Sequence, residues 1–191
     1  MRAALPLLLV LLLAGCSQLQ PTEPLTPSEP SLLLQLERWS LEGRIGIRHA
    51  GESNSASLSW QQRPTGYRIA LTGPLGQGGL QIEGNTNAVT LQQAGSDEVH
   101  RAATPEALMQ RLLGWSLPLS QARYWVRGLP DPALEWQPLA FGEGFSQQGW
   151  QIEYPRYTRA GPLVLPEKIR LTRPDLRITV VVSHWETTPP R

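Results

Sequence analysis

Trp39-Ser40-Leu41-Glu42-Gly43-Arg44-Ile45-Gly46-Ile47-Arg48 decides the fold class. Trp39, Leu41, Gly43, Ile45 and Ile47 take one parity, and Ser40, Glu42, Arg44, Gly46 and Arg48 take the other. A period of two places successive side chains on opposite faces of an extended chain, so this stretch predicts a half-buried β-strand. The same period recurs downstream. Ala56, Leu58 and Trp60 oppose Ser53, Ser55, Ser57 and Ser59. Tyr67, Ile69 and Leu71 oppose Arg68, Ala70 and Thr72. Leu80 and Ile82 alternate with Gln81 and Glu83, and Val89 and Leu91 with Thr90 and Gln92. Gly73-Pro74-Leu75-Gly76-Gln77-Gly78-Gly79 reads as a glycine-rich turn. Connections this short imply an antiparallel meander.

Two helices interrupt the strands. Thr104 suits an N-cap, Pro105 the first helical position and Glu106 the positive end of the helix dipole. Leu108, Met109 and Leu112 would form the apolar stripe of this helix. A second helix is expected from about Pro118 to Arg127, with Leu119, Ala122 and Trp125 or Val126 inward; Gly128 would end it and Pro130 would prevent continuation. Strands then resume at Leu134 and Trp136, at Trp150, Ile152 and Tyr154, at Ile169 and Leu171, and from Leu176 to Trp185. About ten strands are more than a flat sheet holds comfortably. The expectation is a mainly β fold with a few helices: a strongly curved antiparallel sheet, an incomplete barrel, with helices on its concave side.

Working back to the N-terminus, Met1-Arg2 gives one positive charge, and an apolar run reaches Leu13. Leu13-Ala14-Gly15-Cys16 then supplies small residues and the chain's only cysteine. That order is a secretory signal too short to span a bilayer, and its end resembles the lipobox of bacterial lipoproteins. There the cut falls before the cysteine, which is acylated. Residues 1–15 are therefore expected to be a removed signal peptide, 16–31 a lipidated tether rich in proline, 32–188 one domain and 189–191 a tail. The whole chain carries net charge +1, and loss of Arg2 leaves the remainder balanced. No electrostatic footprint for nucleic acid is present.

Signatures of catalysis are missing from the sequence. There is no phosphate loop, dinucleotide fingerprint or Gly-x-Ser-x-Gly elbow. His49, His100 and His184 are widely separated and read as surface residues without metal spacing. The expectation is no catalytic residue, no metal and no cofactor. Seven tryptophans either fill a β core or line a pocket for an apolar ligand; the sequence leaves both open.

Three segments then carry a resemblance: Leu71-Thr72-Gly73-Pro74-Leu75-Gly76, Trp115-Ser116-Leu117-Pro118-Leu119 and Trp125-Val126-Arg127-Gly128-Leu129-Pro130. In this order, after the lipobox and Trp39-Ser40-Leu41-Glu42-Gly43-Arg44, they resemble the LolB family of outer-membrane lipoprotein receptors, from about Trp39 to Trp185. Gly73 departs from it, standing where a bulkier polar residue is expected. The resemblance implies a hydrophobic cavity that accepts acylated lipoprotein cargo from the periplasmic carrier LolA. It also implies insertion of that cargo into the outer membrane by a monomer anchored there through its own lipid. Ser17 after Cys16 fits outer-membrane sorting under the enterobacterial rule, where aspartate would favour retention. The inward strand positions would line the cavity: Ile45, Ile47, Leu58, Trp60, Ile69, Leu71, Leu80, Ile82, Leu91, Trp125, Trp150, Ile152, Ile178 and Val180. Leu75 lies among turn residues with no evident core partner, and the resemblance implies that it engages the membrane. A structural lipoprotein with a filled core, working as a partner in an outer-membrane assembly, and a lipid hydrolase are the competing classes; the latter lacks a nucleophile motif.

Overall fold

The computed structural model describes residues 25–188 except Gln77 and Thr86, with Leu75 described through its backbone alone. Helix α1 (Pro30–Leu34) precedes six strands: β1 (Trp39–His49), β2 (Glu52–Arg63), β3 (Gly66–Thr72), β4 (Gly79–Asn85), β5 (Val89–Gln93) and β6 (Val99–Ala102). Helices α2 (Pro105–Leu113) and α3 (Leu119–Trp125) follow. Then come β7 (Trp136–Pro138), β8 (Gly144–Gln147), β9 (Trp150–Ala160), β10 (Leu163–Arg173) and β11 (Leu176–Thr187).

The strands form one 11-stranded sheet in the order β6-β5-β4-β3-β2-β1-β11-β10-β9-β8-β7. Strands β6 and β7 lie at its two ends, so the sheet is not closed into a barrel. Every pairing is antiparallel, and all but one join sequence neighbours. The exception is β1 with β11, which joins the first and last strands. The topology gives the sheet two rims. One carries the β1–β2, β3–β4, β5–β6, β8–β9 and β10–β11 turns and is called the turn rim below. The other carries the start of β1, the end of β11 and the β2–β3, β4–β5, β7–β8 and β9–β10 turns. On this second rim Ser28 exchanges hydrogen bonds with Val164, and Arg38 O accepts from Thr188 N. It is the rim on which the described chain begins, and the folded part starts a few residues before the expected boundary at 32.

The structure corrects several expected elements. Among the described residues there are eleven strands against about ten expected; β6 and β8 escape the reading because four-residue strands give too few alternations to register. Leu134 lies outside β7, and Trp136 within it is 49% exposed. The second long helix is shorter than expected, since Val126 is its C-cap and Gly128 turns the chain at φ 89°. Alternation along β11 also breaks. Glu42 pairs with His184 but Gly43 with Val182, leaving Ser183 as a bulge whose hydroxyl donates to Glu42 O at 3.0 Å. The extra residue inverts the parity, so Val182 and Trp185 both face the core. Gly43 permits this close approach: a Cβ there would collide with the carbonyl oxygen of Val181.

Candidate functional site

The inward positions meet in continuous apolar rows across the strands. Leu91, Ile82, Ile69, Trp60, Leu41 and Trp185 are successive partners from β5 to β11. On the other half Ile47, Ile178, Leu171, Ile152 and Phe145 do the same. All fourteen positions expected to line a cavity join one apolar cluster, thirteen of them from strands and Trp125 from α3. All but Ile47, Leu71 and Leu80 are buried against neighbours. Those three are half-buried. Leu71 and Leu80 pair beside the β3–β4 turn, and Ile47 lies near the β1–β2 turn, so these members of the apolar cluster are only partly covered at the turn rim. Half-buried Leu112, Leu113 and Trp115 pack against the same cluster.

Five tryptophans belong to the core: Trp39, Trp60, Trp125, Trp150 and Trp185. Trp39 packs between Trp60, tilted against it, and Trp185, edge-on to it, at ring separations of 5.3 and 5.6 Å. Each buried indole N–H with a polar partner has one nearby: Trp60 donates to Gln62 Oε1 and Trp185 to Pro166 O. Such partners let an indole sit in an apolar layer without an unsatisfied donor.

The helices are fixed by a polar knot. Helix α2 starts as expected: Thr104 Oγ1 accepts from Ala107 N, and the Glu106 carboxylate accepts Leu119 N at 3.1 Å, tying α2 to α3. Trp125 Nε1 donates to Gln147 Oε1 at 2.8 Å, and Asp131 N donates to the same oxygen at 2.9 Å. The Gln147 amide returns donors to Asp131 O and Leu134 O. Tyr154 Oη donates to Trp125 O at 2.7 Å. Arg127, buried and with no carboxylate partner among the described residues, donates to Leu33 O at 2.6 Å, Leu36 O at 2.9 Å and Arg123 O at 3.0 Å. It thereby satisfies carbonyls at the end of α1, where a cation also complements the helix dipole. Burial pulls the Arg127 pKa down to about 10; the charge interaction with Tyr124 offsets part of this and the neighbouring Arg123 adds to it.

Arg127 stands inside a segment that the sequence singled out, although its role there was invisible. Gln147 and Tyr154 were missed as polar anchors; Gln147-Gln148-Gly149 looks only like turn chemistry, and nothing local says that its first amide is buried. Burial raises the Tyr67 hydroxyl to about 12 and pushes the Tyr154 and Tyr157 hydroxyls up as well.

Cys16 lies outside the described residues. The backbone of Leu75 sits in a 3₁₀ turn, Pro74–Gly76, at the turn rim; its side chain lies outside what is described. His49 and His100 are half-buried, not freely exposed, whereas His184 is exposed. Among the described residues no group of three or more His, Cys, Asp or Glu could hold a metal. No described helix is long and apolar enough to cross a membrane.

The family model described as "Outer membrane lipoprotein LolB" matches residues 37–185. The chain belongs to the LolB family. The outer-membrane lipoprotein LolB of Chromohalobacter salexigens is 42% identical, covering 97% of this chain and 90% of its own length. That of Stutzerimonas stutzeri is 40% identical, covering 93% and 92%. Among solved structures, a DUF1329 family protein from Desulfovibrio piger superimposes with a TM-score of 0.52 at 7% identity, over 82% of this chain and 88% of that one. A LolA superfamily protein from Nitrosomonas europaea gives 0.50 at 8% identity, over 87% and 96%. These two likenesses concern the fold alone.

Proposed function

We propose that this LolB chain is an outer-membrane receptor that accepts acylated lipoproteins from the periplasmic carrier LolA and passes them into the outer membrane. The observation that carries the reading is the continuous apolar layer on the inner face of an open sheet, in a chain matched along nearly its full length by LolB relatives. Acyl chains would enter at the turn rim past Ile47, Leu71 and Leu80. The α2 end that carries Leu112 and Leu113 would move off the sheet to make room. The remaining cavity positions then become lining as the chains replace helix contacts.

Each buried methylene of an acyl chain contributes about 0.8 kcal/mol. A triacylated cargo therefore does not cross water unaided, but moves downhill from carrier to receptor to bilayer if each site binds more tightly than the last. No covalent step is required, and the reading is of a binding protein and not an enzyme. Cys16 carries the lipid anchor, the residues between it and Ser28 form the tether, and the receptor acts as a monomer. Leu75, at the tip of the turn nearest the opening, enters the bilayer and assists release. Leu75→Glu tests this reading with two assays on one protein: uptake from the carrier stays near wild type while transfer to liposomes falls. Equal loss in both would place Leu75 in folding or docking, and no loss in either would make it a bystander.

A further inference from the structure

We propose that the rim on which the chain begins rests on the bilayer between deliveries, through Leu32 and Leu34 of α1 and Phe141 in the β7–β8 turn. This rests on the anchoring of Cys16 argued above. Three observations support a lipid surface as the occupant.

The first is exposure. Phe141 is 91% exposed, Leu32 48% and Leu34 43%. Single exposed apolar residues are ordinary, but α1 departs from the pattern of a helix lying in water. Its sequence is Pro-Ser-Leu-Leu-Leu; Leu33 is buried, and the leucines on both sides of it are exposed. A surface helix with one covered stripe normally has polar residues at the flanking positions. In the β7–β8 turn Phe141 likewise stands among apolar and small residues, Leu139, Ala140 and Gly142, with Glu143 as the turn's one charge.

The second is position. Ser28 bonds to Val164 at the start of β10, and Arg38 O to Thr188 N after the end of β11, so residues 28–38 run along this rim. The β7–β8 turn opens toward the same rim, beside β9, where Tyr154 N donates to Glu143 O. The β3–β4 turn with Leu75 lies on the other rim, so this contact is separate from that loop.

The third is chain length. Residues 16–24 span at most about 32 Å when fully extended, so the acylated Cys16 holds this rim within that distance of the membrane. Tethering raises the effective concentration of the surface, and a weak apolar contact is then enough to fix an orientation.

The test uses the acylated full chain in vesicles of phosphatidylethanolamine and phosphatidylglycerol. Acylation blocks the thiol of Cys16, so Leu34→Cys, Phe141→Cys and Asn54→Cys each offer one free thiol for an environment-sensitive fluorophore. Asn54 is exposed on β2 near the turn rim and serves as the control. The expected result is a blue shift, quenching by spin-labelled lipid and loss of iodide quenching at 34 and 141, with 54 remaining aqueous. Iodide quenching retained at 34 or 141 on acylated protein would overturn the docking, and so would lipid quenching at all three positions. The mass of the intact chain separates the premises: an unacylated Cys16 defeats the anchoring reading, whereas an acylated one with aqueous probes defeats only the resting contact.

Discussion

Replacing Gln147 with leucine tests how the helices are held over the sheet. Gln147 is 2% exposed, and its Oε1 accepts from two buried donors, Trp125 Nε1 and Asp131 N. Leucine fills a similar space but leaves both donors without a partner, together with the Asp131 and Leu134 carbonyls that its amide served. A stranded buried donor costs about 1–3 kcal/mol, so two amount to about 2–6 kcal/mol, and about 4 is the central expectation. For a domain of this size that lowers the melting temperature by about 8–16 °C. Urea unfolding followed by tryptophan emission and near-UV circular dichroism measures the loss, since Trp125 and Trp150 pack 6.0 Å apart beside the substituted residue. Glu83→Gln is the contrast. It weakens the 2.6 Å pair with Arg68, but both partners are exposed, and such pairs contribute about 1 kcal/mol or less. A Gln147→Leu loss below about 1 kcal/mol with an unchanged denaturant slope would refute the reasoning.

Other substitutions probe separate parts of the account. Gly43→Ala forces a methyl into the Val181 carbonyl at the bulge and lowers stability by about 1–3 kcal/mol in chemical denaturation, against near-neutrality for Gly46→Ala, where the added Cβ meets nothing. Leu71→Glu, at a half-buried position, weakens uptake of a fluorescent acyl probe while leaving a cooperative melt. Ile82→Glu, fully inside the same rows, unfolds the domain because an unpaired charge is placed in apolar surroundings. In alkali, the raised hydroxyls of Tyr67, Tyr154 and Tyr157 favour the protonated form in the fold. Their contribution is complete below pH 10, the ordinary value, and declines as pH climbs toward the raised values, about 12 for Tyr67. A spectrophotometric titration with parallel melts checks that tyrosinate appears only as the fold is lost.

Strand period, turn chemistry and the α2 cap were legible because each is a local signal. Thr104, Pro105 and Glu106 announce a helix start wherever they fall, and Leu176 to Val182 alternates cleanly. The misses are tertiary. Ser183 shifts the register of β11 only because Gly43 lets the neighbouring strand approach, and no window of sequence contains both. Strands β6 and β8 exist because an edge is available for pairing. The apolar interior was legible position by position from the alternation of Ile45, Leu58, Ile69 and Ile82. Its partly covered members were not: Ile47, Leu71 and Leu80 differ from their buried neighbours only in lying close to the turn rim. Likewise Gln147, Arg127 and Tyr154 have ordinary sequence surroundings, and only the folded arrangement shows that their polar groups hold α1 and α3 in place.

The most direct measurement is the passage of a radiolabelled triacylated lipoprotein from a purified LolA complex to this chain anchored in liposomes, without nucleotide. The account predicts that label leaves the carrier, appears transiently on the receptor and ends in the bilayer. Label that stays on LolA in the presence of folded, acylated receptor would contradict it.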